Sequence, residues 1–596
     1  MGLFSRIHTA SARALDDRFH WNRLPRPLGI FALAGLRKLY RERNLHDTRS
    51  TAPTRDTVAK EGPPADTNAR TTDGSYNDLD DPAMGSIGSR FGRNVPIEHT
   101  YPEDRPGILE PNPRLVSRRL LTREKFIPAT TLNVLAGAWL QFEVHDWFSH
   151  GKNEPESPWE LDLEEGDPWP EDPMRIQRTR RDPTADLEGD LPPTYITDDS
   201  HWWDGSQIYG SSPEFADKLR AHEDGKLRVD SSGLLPRDLE DGLDLTGVAG
   251  NFWVGLGLLH TLFTLEHNSI CDRLRRAYRT WTDQELYDHA RLINAALMAK
   301  IHTVEWTPGV IAHPTTQLAM NANWWGLMGE RFTKRWGRLG SSEILSGIPG
   351  SPTNHYGVPY SLTEEFVAVY RMHPLLPDDY TFRSLEDDRV LEERTFPEIG
   401  ALQTRSCLEK LGMANALYSF GVAHPGAITL HNYPRFLQTL ERPDGTTMDL
   451  AAVDIMRIRE RGVPRYNQFR RLWHLKPADS FEELTQDAER AKELSRVYDG
   501  DIERVDLMIG LYSEPLPKGF GFSDTAFRVF ILMASRRLNS DRFFTIDYTP
   551  DVYTTEGMEW IGNTTLVDVL LRHFPQLEPA LRGVHNGFGP WNRVTR

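Results

Sequence analysis

The sequence predicts a mainly α-helical fold, on three grounds: long stretches with apolar residues at helical spacing, scarce strand-like alternation, and Pro- and acid-rich segments confined between the helical ones. In chain order, Thr131 to Phe148 is apolar and aromatic at helical spacing. Val248 to Trp281 runs long without proline, and Asp283 to Trp306 follows, opened by an acidic first turn and closed by Pro308. Glu364 to His373 is expected to be helical and to stop at Pro374. Ser523 to Leu538 is apolar nearly all round, which predicts a buried helix. Residues 49–93 are rich in Thr, Asp, Gly, Pro and Ser and predict a linker or long surface arm. Residues 151–195, acidic and Pro-rich, predict an excursion loop that returns near Tyr195. The expected organisation is therefore an N-terminal segment 1–48, an arm 49–93 and one large domain 94–596. No repeat of solenoid length is present.

Composition narrows the function. In 596 residues, 39% are hydrophobic, with 16 Trp and 26 Phe, which suffices for a large core and excludes disorder throughout. A net charge of -17 argues against a nucleic-acid partner, because phosphates call for a basic surface. Only Cys271 and Cys407 are present, which excludes a Cys-rich metal site and points to a reducing, cytoplasmic compartment with two buried thiols. No secretory signal is read at the N-terminus, Leu28 to Leu36 is too short to span a bilayer, and Arg6 breaks the myristoylation pattern that Gly2 opens. Charge is uneven, however. Residues 1–48 carry nine Lys and Arg against four acids, a balance of +5, while the remainder carries -22. Such a basic, aromatic-flecked, amphipathic segment could lie peripherally on an anionic membrane or dock as a helix on the main domain.

Three clusters could carry chemistry. His373 ends a helix beside an apolar run, as an axial metal ligand does, and Tyr370 lies three residues earlier on the same helix face; a packed helix end reads the same way. Gln141 and His145 share a face four residues apart, a pair suited to positioning and deprotonating a bound peroxide, or to ordinary core packing. Asp146, Ser200, Asp204 and Ser206, with the Trp202 carbonyl and the Gly205 turn, offer an all-oxygen cage for calcium; a metal-free Asx or Ser turn is the plainer alternative.

Taken in order, these segments resemble the animal-type haem peroxidases, the superfamily of myeloperoxidase and cyclooxygenase. The matching pieces are Gln141 to Asp146, the Ser200 to Ser206 loop with Tyr209 and Gly210, Glu266-His267-Asn268, the helix Tyr287 to Ile301, Tyr370 to Pro377, and Met456-Arg457-Ile458-Arg459 ahead of Gly462, Pro464, Tyr466 and Asn467. The likeness runs from about residue 95 to 590. It implies a peroxidase-like helical domain with few short strands. Trp21 to Pro25, Trp202 to Ser206, Asn432-Tyr433-Pro434, Arg536-Arg537-Leu538 and Asp541 to Thr545 further resemble the plant-type fatty-acid α-dioxygenases.

The resemblance implies a haem held by His373, with His145 on the opposite side and Asn432 as a proximal partner by position. It implies Tyr370 as the radical residue, and His302, Thr307 and Arg537 as the clamp on a substrate carboxylate, with Arg536 as second choice and Arg542 as a third. Gly247 to Trp253 lacks the Arg and Glu that the defence peroxidases carry there, which implies non-covalent haem b and feeble general peroxidase turnover. Arg457 and Arg459 could pair with haem propionates or lie at the surface. Glu266 and His267 read as structural. The implied reaction starts with a trace of peroxide handled by His145, passes oxidation to Tyr370, and adds O2 to the α-carbon of a fatty acid to give a 2-hydroperoxy acid. The alternatives are a diol-synthase-like or cyclooxygenase-like oxygenase, a plain haem peroxidase, and a non-enzymatic haem-binding membrane scaffold.

Overall fold

A computed structural model describes residues 3–48, 62–185, 191–240, 242–248, 250–442 and 445–594. Helix predominates. Among the described residues, strands form three separate two-stranded antiparallel ribbons: Glu154–Leu161 with Met174–Arg178, Asp379–Arg383 with Val390–Thr395, and Leu440–Glu441 with Thr447–Met448. The first ribbon lies inside 151–195, which is thus partly ordered by pairing rather than loop alone. Trp159, Leu161, Met174 and Ile176 alternate inward against Ala452 and Met456, a period-two signal masked in the sequence by the surrounding acids and prolines.

Three helices form the centre: Val134–Trp147, Val254–Ala277 and Asp283–Ile301. The last opens with a capping box, in which Thr282 Oγ1 accepts from the Glu285 N–H (3.2 Å) and Glu285 Oε2 accepts from the Thr282 N–H (2.7 Å). Pro308 does not end it. The chain continues through a π-helical turn, His302–Trp306, into a short α-turn, Thr307–Val310, whose second residue is Pro308. In a first turn the missing proline N–H would have had no partner anyway, so the break expected from sequence does not occur.

The helix before His373 is shorter than its sequence suggests. It spans Glu364–Val369, Tyr370 caps it, and His373–Leu375 forms a separate 3-10 turn. Pro374 has no N–H to offer the Tyr370 carbonyl, so the ladder ends early.

Leu3–Phe19 and Arg26–Arg43 dock on the main body. Trp21, between them, is fully buried and its Nε1 donates to Asp524 (2.8 Å). Asp16 pairs with Arg528 at 2.7 Å, and Arg37 and Arg41 reach Glu343 at 3.1 and 2.6 Å. At Gly29 a Cβ would come within 2.9 Å of Thr315, so only glycine allows this approach. The arm 62–93 has little regular structure but is pinned along its inner side by Arg70 on Asp541 (2.8 Å), the buried Phe91 ring, and Arg93 on Glu365 (2.9 Å). Asp524–Asn539, capped by Ser523 Oγ accepting from the Ala526 N–H (3.1 Å), is buried nearly all round, as expected. Cys271 and Cys407 are buried free thiols. Among the described residues no helix is long and apolar enough to cross a membrane.

Candidate active site

Tyr370, at the end of helix Glu364–Val369, stands in an aromatic box. Its ring meets Trp147 edge-on at 5.5 Å and Phe366 at 4.6 Å, with Phe148 and Phe530 at 6.1 and 6.3 Å. Its hydroxyl is buried without a hydrogen bond, and burial pushes the phenol far above its ordinary pKa.

Trp147 also touches His302, edge-on at 5.3 Å. The His302 ring stacks on Trp306 (4.6 Å, 19°), and its Nδ1 accepts the Trp139 indole N–H at 3.1 Å. Burial, then the nearby Arg537 charge, push its pKa well down, so the ring is neutral. With Nδ1 accepting, the proton sits on Nε2, which becomes a donor. The π turn aligns this donor with the next. Its hydrogen bonds run between residues five apart, and the Thr307 N–H bonds the His302 carbonyl, so the two residues stand one π turn apart. Thr307 Oγ1 is buried and unbonded.

Arg537 completes the group. Its guanidinium carbon lies 3.9 Å from the Trp147 ring centroid and 4.6 Å from that of Trp203. Residue exposure is 1%, and none of its three side-chain nitrogens makes a hydrogen bond. The Tyr360 hydroxyl comes near, yet donates to the His201 carbonyl (2.9 Å). The two other candidate arginines are engaged elsewhere. Arg536 donates to the Val358 and Pro359 carbonyls (2.8 and 2.9 Å), and Arg542 binds Asp547 and the Thr67 carbonyl. His302 and Arg537 thus bring unpaired donors to the Trp147 and Trp203 indoles beside Tyr370, and the unbonded Thr307 hydroxyl follows His302 along the π turn, a set that can hold one carboxylate. Glu143, which sequence reading missed, is buried on the same helix as Trp147, with Oε2 accepting the Trp203 N–H at 2.8 Å.

On helix Val134–Trp147, Gln141, Val144 and His145 keep a minor part of their surface exposed, with His145 Nδ1 itself buried, while Phe142, Glu143, Asp146 and Trp147 are buried. Burial brings the His145 ring down to about 4, which leaves a neutral base. Gln141 is turned aside: its Oε1 accepts the Trp253 indole N–H (2.7 Å) and its Nε2 donates to the Asn251 carbonyl (3.3 Å).

His373 keeps 27% of its side chain exposed, and its Nδ1 lies 2.8 Å from Asp454 Oδ2, close but off the line of an ideal N–H···O bond. Asp454 also receives the Tyr433 hydroxyl (3.0 Å) and Arg371. Burial alone would raise this carboxyl; Arg371 and His373 outweigh it and hold it below the usual range. With Nδ1 facing a carboxylate, Nε2 is left to ligate a metal, which fits an axial role. Asn432 does not supply this contact. Its Oδ1 accepts from Arg123 Nε and the Ile127 N–H (both 3.0 Å), and its Nδ2 donates to the Ile127 and Ala427 carbonyls (2.9 and 2.7 Å), so the amide locks backbone instead. Nor are the expected propionate arginines free. Arg459 forms a buried fork on Asp506 (2.7 Å) and reaches the Ile108 and Pro111 carbonyls, and Arg457 binds Glu460. Glu266 receives Trp560, His573 and Arg572, and His267 bonds Tyr209 and the Gly225 carbonyl, both structural uses.

The Ser200–Ser206 loop closes on Asp146. Asp146 Oδ1 accepts from the Ser206 N–H and Oγ (2.7 and 2.9 Å), and Ser200 Oγ donates to Asp204 (2.8 Å). Asp146 Oδ2 is buried without a partner, and burial, then Asp204, raise its pKa well above normal. Two buried carboxylates with an unbonded oxygen fit a cation. Among the described residues no three His, Cys, Asp or Glu side chains gather, so any cage here also needs the hydroxyls and the Trp202 carbonyl, a hard-cation donor set.

Known proteins share the fold and much of the sequence of this chain. The animal haem peroxidase family model matches residues 69–584. An α-dioxygenase of Pisum sativum is 39% identical over 99% of this chain and 91% of the relative. The crystal structure of the Arabidopsis thaliana fatty acid α-dioxygenase superposes with a TM-score of 0.91 at 36% identity, covering 100% of this chain and 94% of that one. A Tyr-to-Phe variant of the Oryza sativa enzyme, solved with palmitic acid, gives a TM-score of 0.90 at 36% identity over 99% and 98% of the two chains. The chain belongs to the animal haem peroxidase family, is an oxidoreductase, and falls in its α-dioxygenase branch.

Proposed function

We propose that this enzyme adds O2 to the α-carbon of fatty acids, with Tyr370 as the hydrogen-abstracting residue. The observation that carries this is Arg537: a buried guanidinium with no carboxylate partner among the described residues, sharing the Trp147 ring with Tyr370. A buried cation of that kind calls for an anionic partner. A carboxylate bound by Arg537, His302 Nε2–H and Thr307 Oγ1 would bring the adjacent carbon, and no other, to Tyr370. The palmitic acid bound to the rice relative supports the substrate class.

Non-covalent haem b would be held by His373 and, with a trace of peroxide, would supply one-electron oxidising power. His145, neutral at its low pKa, would take the peroxide proton, while Gln141 helps fix the loop 251–253. Asp454 takes the proximal partnership that the sequence suggested for Asn432. Tyr370 loses one electron and its phenolic proton, and the radical takes hydrogen from the α-carbon. O2 adds to the carbon radical. The peroxyl radical regains hydrogen from the Tyr370 hydroxyl, giving the 2-hydroperoxy acid and restoring the tyrosyl radical. Calcium, held by Asp146, Ser200, Asp204, Ser206 and the Trp202 carbonyl, would neutralise the two acids and brace Trp203 against Arg537. Exposed Ile7, Phe19, Leu28 and Phe31 on the basic N-terminal helices support peripheral contact with an anionic membrane.

The test is oxygen uptake by haem-loaded protein fed palmitate, with identification of the product. Tyr370→Phe should abolish uptake while the haem absorption band persists. Full oxygenation by that variant would refute the radical assignment, and guaiacol oxidation as the sole activity would turn the reading to a plain peroxidase.

A further inference from the structure

Beside the unpaired guanidinium stands an unpaired acid. Glu143 is fully buried, its Oε2 accepts the Trp203 indole N–H, and its Oε1 has no hydrogen-bond partner. The face of the same indole lies 4.6 Å from the Arg537 guanidinium carbon. The acid and the cation thus share Trp203, and neither is a hydrogen-bond partner of the other.

Few charges act here. From helix Asp524–Asn539 comes Arg537, on Glu143's own helix sits Asp146, after Glu364–Val369 comes the neutral phenol Tyr370, and on the π turn the neutral His302. Burial pushes the Glu143 carboxyl up, the Trp203 hydrogen bond and Arg537 pull part of the way back, and it settles at about 8. At neutral pH the acid is therefore uncharged and Arg537 is left for an incoming carboxylate. An ionised Glu143 would satisfy Arg537 from inside and repel a second anion across a dry pocket.

We propose that Glu143 is a specificity-determining acid of the carboxylate pocket: the pocket accepts a fatty-acid anion only while Glu143 keeps its proton. This rests on Arg537 being the carboxylate anchor. Its consequence is proton-linked binding. Below the Glu143 pKa a fatty acid binds without proton exchange; above it, each bound carboxylate draws one proton from solvent onto Glu143, with no change in electron count.

Calorimetric titration of haem-loaded protein with laurate, below its micelle threshold and without oxygen so that none is consumed, tests this from pH 6.5 to 9.5. The Kd should hold steady to near neutrality and then weaken, approaching about ten-fold per pH unit, the slope of one linked proton. Buffers of different ionisation enthalpy should show uptake approaching one proton per laurate at the alkaline end. Glu143→Gln keeps an oxygen for the Trp203 N–H and should bind laurate with a pH-independent Kd and no uptake. A flat wild-type profile without uptake overturns the proposal, as does a Glu143→Gln variant with the wild-type slope. If that variant does not fold, wild-type proton uptake decides alone. Arg537→Gln separates the two readings: loss of laurate binding at every pH supports the anchor, and unaltered binding removes it irrespective of Glu143.

Discussion

The Arg537 guanidinium carbon lies 3.9 Å from the centroid of the Trp147 ring. An indole face holds a cation without using up its N–H groups, so the arginine is positioned yet leaves its donors for a ligand. Buried cation–π contacts contribute about 2 kcal/mol. Trp147→Leu should therefore raise the palmitate KM by roughly ten-fold or more, since each 1.4 kcal/mol is a factor of ten. It should also slow turnover, because the same ring walls Tyr370. Steady-state oxygen uptake over a palmitate series checks this, and an unchanged KM would remove Trp147 from the anchor.

Thr307 offers a cleaner probe. Thr307→Val keeps shape and removes one hydroxyl that has no protein partner. A hydrogen bond to a charged group is worth about 1.5–3 kcal/mol, so the KM should rise roughly ten-fold or more with kcat little altered. A fall in kcat at constant KM would mean that Thr307 acts on the reacting carbon rather than on the head group.

Asp454 should tune the haem without being needed to bind it. Asp454→Asn retains an oxygen facing His373 but removes the negative charge, so the ferric state loses support and the reduction potential should rise. Spectroelectrochemical titration reads the shift, and an unmoved potential would reduce Asp454 to packing. His373→Ala should lose the haem band altogether.

Acid should release the N-terminal helix pair. Burial alone would raise the Glu343 carboxyl, but Arg37 and Arg41 bring it down to about 2. A carboxyl whose folded value lies below its unfolded value stabilises the fold fully above the unfolded value of 4.5 and loses that contribution as pH falls toward 2. Protection factors of the Arg26–Arg43 amides, taken against the intrinsic exchange rate at each pH, should therefore fall between pH 5 and 3 (roughly the window between the two values). In Glu343→Gln, exchange there should be fast at pH 6 already; equal protection in both proteins would sink the idea.

Much of the site could be read from residue order. His302 and Thr307 are placed by their distance from Pro308 and Tyr370, and Arg537 by its helix; His302 and Arg537 lie against Trp147 and Trp203, and Thr307 follows His302 on the π turn. What escaped were features that depend on pairing across the fold. Asn432 stood near the right place in sequence, but its amide faces the backbone at 127 and 427, and Asp454 arrives from helix Leu450–Glu460. A signal was present. Asp454 sits among Ala451, Ala452, Val453, Ile455 and Met456, and Glu143 lies in an equally apolar helix. A lone acid in an apolar run must find a partner or give up its charge, and these two take one course each. The π turn left no such trace, because Pro308 reads as a stop whichever helix type precedes it.

The buried pair Asp16–Arg528 spans 512 positions of chain. A ribosome therefore completes almost nine-tenths of the polypeptide before Asp16 can meet its lasting partner. Until then Trp21 and the inner face of Arg26–Arg43 can be covered only in part, by the segment from His313 to Glu343. Contacts of this span make folding slow and leave a sticky leading end exposed during synthesis. The opening helices are thus among the last pieces to settle, and they settle on the helix that bears Arg537, so the anion pocket is finished only when the two ends of the molecule have closed on each other.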